Sequence, residues 1–287
     1  MDTRSIRQFL ALADALHFGH AAEACHVSPS ALSRGIQRLE ESLGATLFER
    51  SKRKVNLTRS GEVFLDYARN ALADWDTVRD RMMAESGDLS GEISLYCSVT
   101  ASYSFLFDVL ARVRRRHPRI EIKLHTGDPE DAIARVTDGR ADIAIAARPR
   151  RLPAGLAFRR MAVSPLVFIA AKGHPAPADN AAWSRCPMIL NERGMARERV
   201  NRWFRARGVP PTIYAQVAGN EAIVSMVSLG FGVGVVPRIV LDNSPLKGTI
   251  RVLDLRPELP PYEVGLFALQ KRLSSPLIDA FWQLQPD

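Results

Sequence analysis

A stretch of 25 residues, Glu62 to Ser86, contains neither glycine nor proline and carries apolar side chains at alternating spacings of four and three. These positions are Phe64, Ala68, Ala71, Trp75, Val78 and Met82. A mean period of about 3.5 residues is typical of a helix that packs along one seam against another helix. The pattern therefore predicts a single helix about 37 Å long.

An exposed apolar stripe of this length is unfavourable in water, so we expect a partner to cover it. The same helix of a second copy would suffice, which predicts dimerisation through a linker helix at residues 59–87. The alternative is that the stripe packs on its own domain. Gly87 to Gly91, with the sequence GDLSG, predicts the end of the helix and a domain boundary.

The residues before this helix, 1–58, predict three short helices and a hairpin. Apolar side chains recur at helical spacing in three groups, Ile6, Phe9, Leu10 and Ala13, then Ala21, Ala22 and Cys25, then Leu32, Ile36, Leu39 and Leu43. Ser28 caps the third helix, Pro29 opens it and Gly44 ends it. Leu47-Phe48 and Val55–Leu57 flank a basic tip, which predicts a two-stranded wing.

The charge of this segment points to a polyanion. The whole chain has a formal net charge of +8, which a basic enzyme could also carry. Residues 1–60 contain nine basic and six acidic side chains, but five of the bases lie between Arg50 and Arg59 without an acid. This clustering predicts a contact surface.

The third helix combines buried apolar positions with an outer face of hydrogen-bonding groups, as a helix that reads a DNA groove requires. Arg34 can form a bidentate contact to guanine, while Ser28 and Ser30 suit phosphate oxygens or base edges. The alternative is an ordinary capped surface helix. The predicted DNA-binding residues are Ser28, Pro29, Ser30, Ser33, Arg34, Gln37, Arg38, Arg50, Lys52, Arg53 and Lys54.

Beyond residue 91 the chain alternates between short apolar runs and helical patterns. The predicted strands are Ile93 to Cys97, Ile120 to Thr126, Asp142 to Ala147, Leu166 to Ala171, Ile213 to Val217 and Val233 to Val236, and the predicted helices are Phe105 to His117, Asp131 to Asp138, Arg197 to Arg207 and Glu221 to Leu229. Strand–helix alternation implies parallel sheets, and its repetition predicts two α/β lobes. Tyr262 to Leu269 and Pro276 to Leu284 return to the first lobe. We therefore expect lobe I at about 91–161 and 267–287, and lobe II at about 162–266.

Several other classes of protein lack support. Cys25, Cys97 and Cys186 lie far apart without CxxC spacing, and the neighbours of His17, His20 and His26 explain these histidines as parts of a packed helix pair, so we expect no disulfide framework and no metal. Gly230, Gly232 and Gly234 follow a helix and lead into a strand, the reverse of a dinucleotide fingerprint. No GxSxG, HExxH or Walker motif occurs, which argues against the recognisable hydrolase, metalloprotease and P-loop classes and leaves an enzyme as the weaker hypothesis. With no 18-residue apolar run and no signal segment, we expect a cytoplasmic protein without membrane contact.

The N-terminal residues resemble the LysR-type transcriptional regulators. The matching positions are Phe9, Phe18, Ala21, Ala22, Val27, Ser28, Leu32, Ser33, Arg34, Ile36, Leu39, Glu40, Leu43, Gly44, Leu47, Phe48, Arg50, Leu57, Thr58 and Gly61. The resemblance implies an α+β winged helix-turn-helix with a linker helix, followed by a two-lobed α/β effector domain like that of periplasmic binding proteins. It also implies double-stranded promoter DNA, a small-molecule effector, RNA polymerase and further copies of the chain, as dimers or tetramers, as partners. No cofactor is implied.

Two positions depart from the family pattern. Cys25 replaces a larger aliphatic residue, and Gly35 replaces a polar one. A glycine inside a helix costs about 1 kcal/mol relative to alanine, so Gly35 is expected to soften the reading helix or leave a base without a contact.

The C-terminal part is most similar to one branch of the family, which activates the acetohydroxy acid isomeroreductase gene of isoleucine and valine synthesis. The matching segments are Leu89-Ser90-Gly91-Glu92, Cys97-Ser98-Val99-Thr100-Ala101, Glu121-Ile122-Lys123-Leu124, Thr126-Gly127-Asp128 and Pro276-Leu277-Ile278-Asp279-Ala280-Phe281-Trp282. This likeness implies 2-acetolactate or 2-aceto-2-hydroxybutyrate as co-inducer. The alternatives are a LysR-type regulator of another metabolic operon, or a solute-binding or enzymatic α/β protein.

Polar residues at strand ends predict where the effector binds. Ligands of open α/β sheets lie beyond the carboxyl ends of the strands, where hydroxyls and free N–H groups at a helix start can hold a carboxylate. The predicted effector-binding residues are Ser98, Thr100, Ala101, Ser102, Thr126, Asp128, Asn220 and Glu221. For Asp128 the alternative is that it only caps the helix that begins at Pro129.

Overall fold

The computed structural model describes residues 2–50, 54–84 and 89–283. The chain divides into two compact units, Met1–Met82 and Met83–Asp287. No helix within the described ranges is long and apolar enough to cross a membrane.

The first unit is a winged helix-turn-helix. Its elements are α1 (Thr3–Ala15), α2 (Phe18–Ala24), α3 (Pro29–Leu43), β1 (Phe48–Arg50), β2 (Val55–Leu57) and α4 (Arg59–Ala84). Ser28 accepts a hydrogen bond from the N–H of Ala31 at 3.2 Å, and Gly44 ends α3 at a φ of 63°. The two strands pair antiparallel, as predicted. Phe9 is fully buried, and its ring packs 5.3 Å from Phe48 and 4.7 Å from Phe64.

The seam of α4 is divided between two environments. Phe64 and Ala68 lie in the core of the first unit, 8% and 0% exposed. Trp75, Val78 and Met82 are 51%, 51% and 69% exposed. The prediction that the whole seam faces a partner is wrong for its first half, because α4 begins next to the wing and covers the same core as Phe9.

The second unit is built on one mixed sheet. Its elements are β3 (Gly91–Cys97), α5 (Val99–Ala101), α6 (Phe107–Arg116), β4 (Ile120–Thr126), α7 (Ala132–Thr137), β5 (Ile143–Ala147), β6 (Leu156–Ala171), α8 (Asn180–Arg185), β7 (Pro187–Asn191), α9 (Gly194–Ala206), β8 (Thr212–Val217), α10 (Asn220–Ser228), β9 (Val233–Pro237), α11 (Arg238–Asp242), β10 (Ile250–Leu253), β11 (Leu259–Leu269) and α12 (Pro276–Trp282). A π-helical turn, Ser102–Leu106, joins α5 to α6 without a break. Short 3-10 turns occur at Pro129–Asp131, Lys247–Thr249 and Gln270–Ser274.

Two lobes of parallel strands share this sheet. The order is β4-β3-β5-β11-β6-β9-β7-β8, with β10 on β6. Pairing is parallel within β4-β3-β5 and within β9-β7-β8, as predicted, and antiparallel along β11 and β6. β6 and β11 run through both lobes and so connect them.

The chain returns from lobe II to lobe I within β11. This return occurs earlier than the predicted boundary after residue 266. Val264–Ala268 pair with Ile143–Ala147 of the first lobe. The sequence patterns missed β7, β10, α8 and α11. β7, for example, contains only three apolar residues between Pro187 and Asn191, too few to show a period.

Candidate functional site

The outer face of α3 presents the predicted DNA-contacting side chains to solvent. Ser28, Pro29, Ser30, Arg34, Gln37 and Arg38 are all exposed, and Ser33 is half-buried. The opposite face, with Leu32, Ile36 and Leu39, is buried in the core. A buried side and a polar side on one helix leave Arg34 and Arg38 available for an external polyanion.

Arg50 differs from Arg34 and Arg38 because its guanidinium contacts other side chains of the first unit. Its guanidinium donates to Glu40 at 2.8 Å and to Ser33 at 3.3 Å, and it lies over the ring of Phe18 at 5.1 Å. These contacts attach the wing to α3. Lys54 is exposed, whereas Lys52 and Arg53 lie outside the described residues.

Gly35 has a packing role that the sequence did not reveal. A Cβ at this position would lie 2.4 Å from Oε1 of Gln8, which is 8% exposed. The glycine therefore admits the side chain of Gln8 between α1 and α3. α3 continues through Gly35 to Leu43, so the departure from the family pattern reflects close helix packing.

In the second unit, a cavity of about 70 Å³ lies between the two lobes. Its lining comprises Ser98, Thr100, Ala101, Phe105, Pro129, Glu130, Ile145, Ala146, Ala147, Asn191, Ala196, Asn220, Pro237, Ile239, Val240, Tyr262 and Val264. The walls are mostly apolar, with polar groups where strands end and helices begin. This arrangement suits a small molecule held by a few oriented hydrogen bonds.

Thr100 lines this cavity and donates two hydrogen bonds to a single carboxylate oxygen. It is 5% exposed, and both its backbone N–H, at 2.9 Å, and its hydroxyl donate to Oε1 of Glu221. Ser98 caps the same helical segment, since its hydroxyl accepts from the N–H of Ala101 at 3.2 Å. The donors at this helix start are thus aimed at a carboxylate of the chain itself, whereas the sequence predicted that they hold the carboxylate of an effector.

Not every predicted residue reaches the cavity. Ser102 donates to the carbonyl of Val99 at 2.6 Å, and Thr126 is exposed; neither lines the cavity. Asp128 accepts from the N–H of Glu130 at 3.0 Å, so it does cap the turn at Pro129. Asn220 lines the cavity and accepts from the side chain of Asn191 at 3.3 Å.

Several residues that the sequence did not indicate join the two lobes. Arg193 of lobe II donates to Asp128 at 3.0 Å and to Asp131 at 2.7 Å in lobe I. The carboxyl of Glu130 of lobe I packs against Gly194 at the start of α9 in lobe II, where a Cβ would overlap it. Loss of water around its carboxyl, with the nearby charge of Asp128, raises the pKa of Glu130. The only signal for these residues was their position at strand and helix ends.

Tyr262 forms part of the wall where β11 crosses between lobes. Burial raises the pKa of its phenol, and the charge of Glu130 raises it further. The guanidinium of Arg199 lies 4.7 Å from the centre of its ring and donates to the carbonyls of Pro260 and Pro261. Tyr262 is therefore a neutral hydroxyl in this wall at neutral pH.

Comparison with known proteins identifies both units. Residues 3–62 match the family described as bacterial regulatory helix-turn-helix protein, lysR family, and residues 86–285 match the LysR substrate binding domain. The chain is 45% identical to the HTH-type transcriptional activator IlvY of Salmonella typhimurium, with 100% of both chains covered. It is also 45% identical to the HTH-type transcriptional regulator IlvY of Escherichia coli, covering 100% of this chain and 99% of the relative. A solved structure of a full-length OxyR variant from Pseudomonas aeruginosa matches with a TM-score of 0.69 and 26% identity, covering 100% of this chain and 99% of that one.

Proposed function

The chain belongs to the LysR family of DNA-binding transcriptional regulators, and from this premise we propose that it activates the acetohydroxy acid isomeroreductase gene in response to 2-acetolactate or 2-aceto-2-hydroxybutyrate. The proposal is supported by 45% identity, over the whole chain, to proteins named IlvY activators. That match covers 100% of this chain and so includes the effector domain.

Promoter recognition divides between the two parts of the first unit. The outer face of α3 lies in the major groove, where its residues contact base edges or orient the helix. These residues are Ser28, Pro29, Ser30, Ser33, Arg34, Gln37 and Arg38. Lys54, together with Lys52 and Arg53, holds phosphates from the wing. Arg50 has a mixed role, because its ion pair with Glu40 already fixes the wing.

The observation that carries the effector proposal is the pair of donors on Thr100, both directed at one carboxylate oxygen. An acetohydroxy acid offers a carboxylate for these donors, a hydroxyl and a keto group for Asn191, Asn220 and Ser98, and methyl groups for the apolar wall. Thr100, Ser98, Ala101 and Asn220 line the cavity and therefore remain the proposed effector residues. Glu221 does not line it, but its carboxylate meets the Thr100 donors. Ser102, Thr126 and Asp128 have weaker support, since none of them lines the cavity.

Signal transmission requires the two lobes to differ in arrangement with and without effector, since a ligand shifts an equilibrium only through differential affinity. The exposed half of the seam, Trp75, Val78 and Met82, joins two copies through α4. We infer that dimers pair into tetramers on the promoter and contact RNA polymerase there. The protein would then act in the cytoplasm.

Two measurements on the full-length protein test this proposal. Calorimetric titration with 2-acetolactate is expected to show saturable binding, and a DNA-bend assay on the isomeroreductase promoter is expected to show a change in bend when 2-acetolactate is added. Absence of selective promoter binding would refute the target gene. If the promoter is bound but 2-acetolactate is not, the effector assignment is wrong and a regulator of another metabolic operon is favoured.

A further inference from the structure

Each lobe places a carboxylate on a helix start of the other lobe. Glu221, at the beginning of α10 in lobe II, accepts from the N–H and hydroxyl of Thr100 in lobe I. In lobe I, the carboxyl of Glu130 packs against Gly194, the first residue of α9 in lobe II, where a Cβ would overlap it. Each lobe thus has a carboxyl group at a helix start of the other, and that of Glu221 occupies the donors proposed for the effector carboxylate.

We propose that Glu221 is an internal ligand of the effector site, whose carboxylate occupies the Thr100 donors in the effector-free protein and is displaced when a carboxylate effector binds. This inference rests on the proposed function for the identity of the effector. The contact itself is independent of that identity, because it is formed by two side chains of the same chain.

Displacement follows from the geometry of the donors. The N–H and the hydroxyl of Thr100 are both directed at Oε1 of Glu221, so both Thr100 donors already serve one carboxylate. Two carboxylates at hydrogen-bond distance from one donor pair would repel each other strongly in a site with little water. An incoming carboxylate must therefore replace that of Glu221.

An internal competitor makes the site selective. The carboxylate of Glu221 is held on the same chain at a high effective concentration, so a ligand that offers only a carboxylate gains nothing by replacing it. A ligand with additional hydroxyl and keto groups gains new hydrogen bonds and can displace it. Glu221 thereby discriminates acetohydroxy acids from simple carboxylates.

The remaining contacts show why displacement does not separate the lobes. Arg193 keeps its ion pairs with Asp128 and Asp131, and the carboxyl of Glu130 stays packed against Gly194. Release of Glu221 therefore frees one edge of the cleft while the other edge stays closed. Such a change alters the angle between lobes without opening the whole cavity.

Amide hydrogen exchange at Thr100 in the full-length protein tests the internal contact without any effector. Glu221→Ala is expected to speed exchange on the order of tenfold, and Glu221→Gln, which keeps an acceptor but removes the charge, less than that. Asp254→Asn, at a side chain 91% exposed in the same lobe, is the matched control and should leave the rate unchanged. Equal exchange rates in wild type and Glu221→Ala would overturn the proposal.

Two carboxylate probes then test displacement. Acetate at high concentration is expected to protect the Thr100 amide in Glu221→Ala but not in wild type, and 2-acetolactate is expected to bind Glu221→Ala several-fold more tightly than wild type. No protection by acetate in Glu221→Ala would overturn the proposal, as would weaker binding of 2-acetolactate, which would make Glu221 an effector contact. If 2-acetolactate binds neither protein, only the effector assignment fails, and the acetate experiment still decides the role of Glu221.

Discussion

The guanidinium of Arg50 lies 2.8 Å from the carboxylate of Glu40, and this ion pair ties the wing to the helix proposed to read DNA. The other oxygen of Glu40 accepts from the N–H groups of Leu47 and Phe48 at 2.8 and 3.1 Å. Glu40 thus organises the chain between α3 and β1 through three hydrogen bonds.

Glu40→Ala is expected to lower the free energy of unfolding by about 2 kcal/mol, because it leaves two backbone donors and a partly buried guanidinium without their acceptor. Thermal unfolding of the full-length protein measures this change as a lower Tm. Glu41→Ala, at the exposed neighbouring position, serves as control. Equal effects of the two substitutions would contradict the anchoring role of Glu40.

Arg34→Ala is expected to cost about 1 to 3 kcal/mol in operator binding and to relax base preference, since Arg34 is exposed and suited to a bidentate base contact.

Lys54→Ala should instead weaken binding to all DNA sequences similarly and reduce the slope of log affinity against log salt concentration by about one. Binding-site selection at several salt concentrations separates the two. Unchanged selectivity in Arg34→Ala would remove it from base recognition.

Substitutions in the two halves of the α4 seam are expected to have different effects, dissociation of the dimer in one case and unfolding in the other. Replacing both Trp75 and Val78 with Glu should dissociate the dimer while the protein stays folded, because these side chains are half exposed within one chain. Ala68→Glu should unfold the first unit, because it buries an unpaired charge at a position with 0% exposure. Sedimentation and circular dichroism distinguish dissociation from unfolding. An intact dimer in the Trp75 and Val78 variant would place the interface elsewhere.

Thr100→Val is expected to weaken 2-acetolactate binding about tenfold, because valine keeps the shape of the side chain but removes a hydroxyl donor to a charged acceptor. Thr126→Val is the matched control, since Thr126 is exposed and does not line the cavity. Calorimetry measures both affinities. If Thr126→Val weakens binding as much as Thr100→Val, the effector lies outside the cavity described here.

The raised pKa of Glu130 predicts a pH-dependent stability. A carboxyl whose pKa is higher in the folded than in the unfolded state binds its proton more firmly when folded, so its contribution to stability grows as pH falls from the raised pKa to the ordinary one. Asp128 raises this pKa further, while Arg193 opposes the shift.

Relative to Glu130→Gln, the wild-type protein should therefore gain stability as pH falls from neutral towards the ordinary glutamate range. Urea unfolding of both proteins at a series of pH values measures the difference. A difference that does not change with pH, or that changes in the opposite direction, would contradict the raised pKa.

Elements whose signals are local could be predicted from the chain alone. A capping serine followed by proline, with apolar residues on one face, defined α3 and its exposed polar side, and the periodicity of Glu62 to Ser86 defined α4. Thr100 and Glu221 were both selected as effector residues from their positions at helix starts. These features depend on neighbours within a few residues, so a single sequence contains the information.

Contacts between groups that are distant along the chain emerged from the folded structure. Whether a seam residue faces a partner or its own core depends on how far the core built around Phe9 extends along α4. The requirement for Gly35 comes from the side chain of Gln8 on another helix, and the direct bond between Thr100 and Glu221 joins residues 121 positions apart. Contacts of this kind depend on how β6 and β11 run through both lobes and on how one lobe packs against the other. The periodicity of residues along the chain contains no information on either.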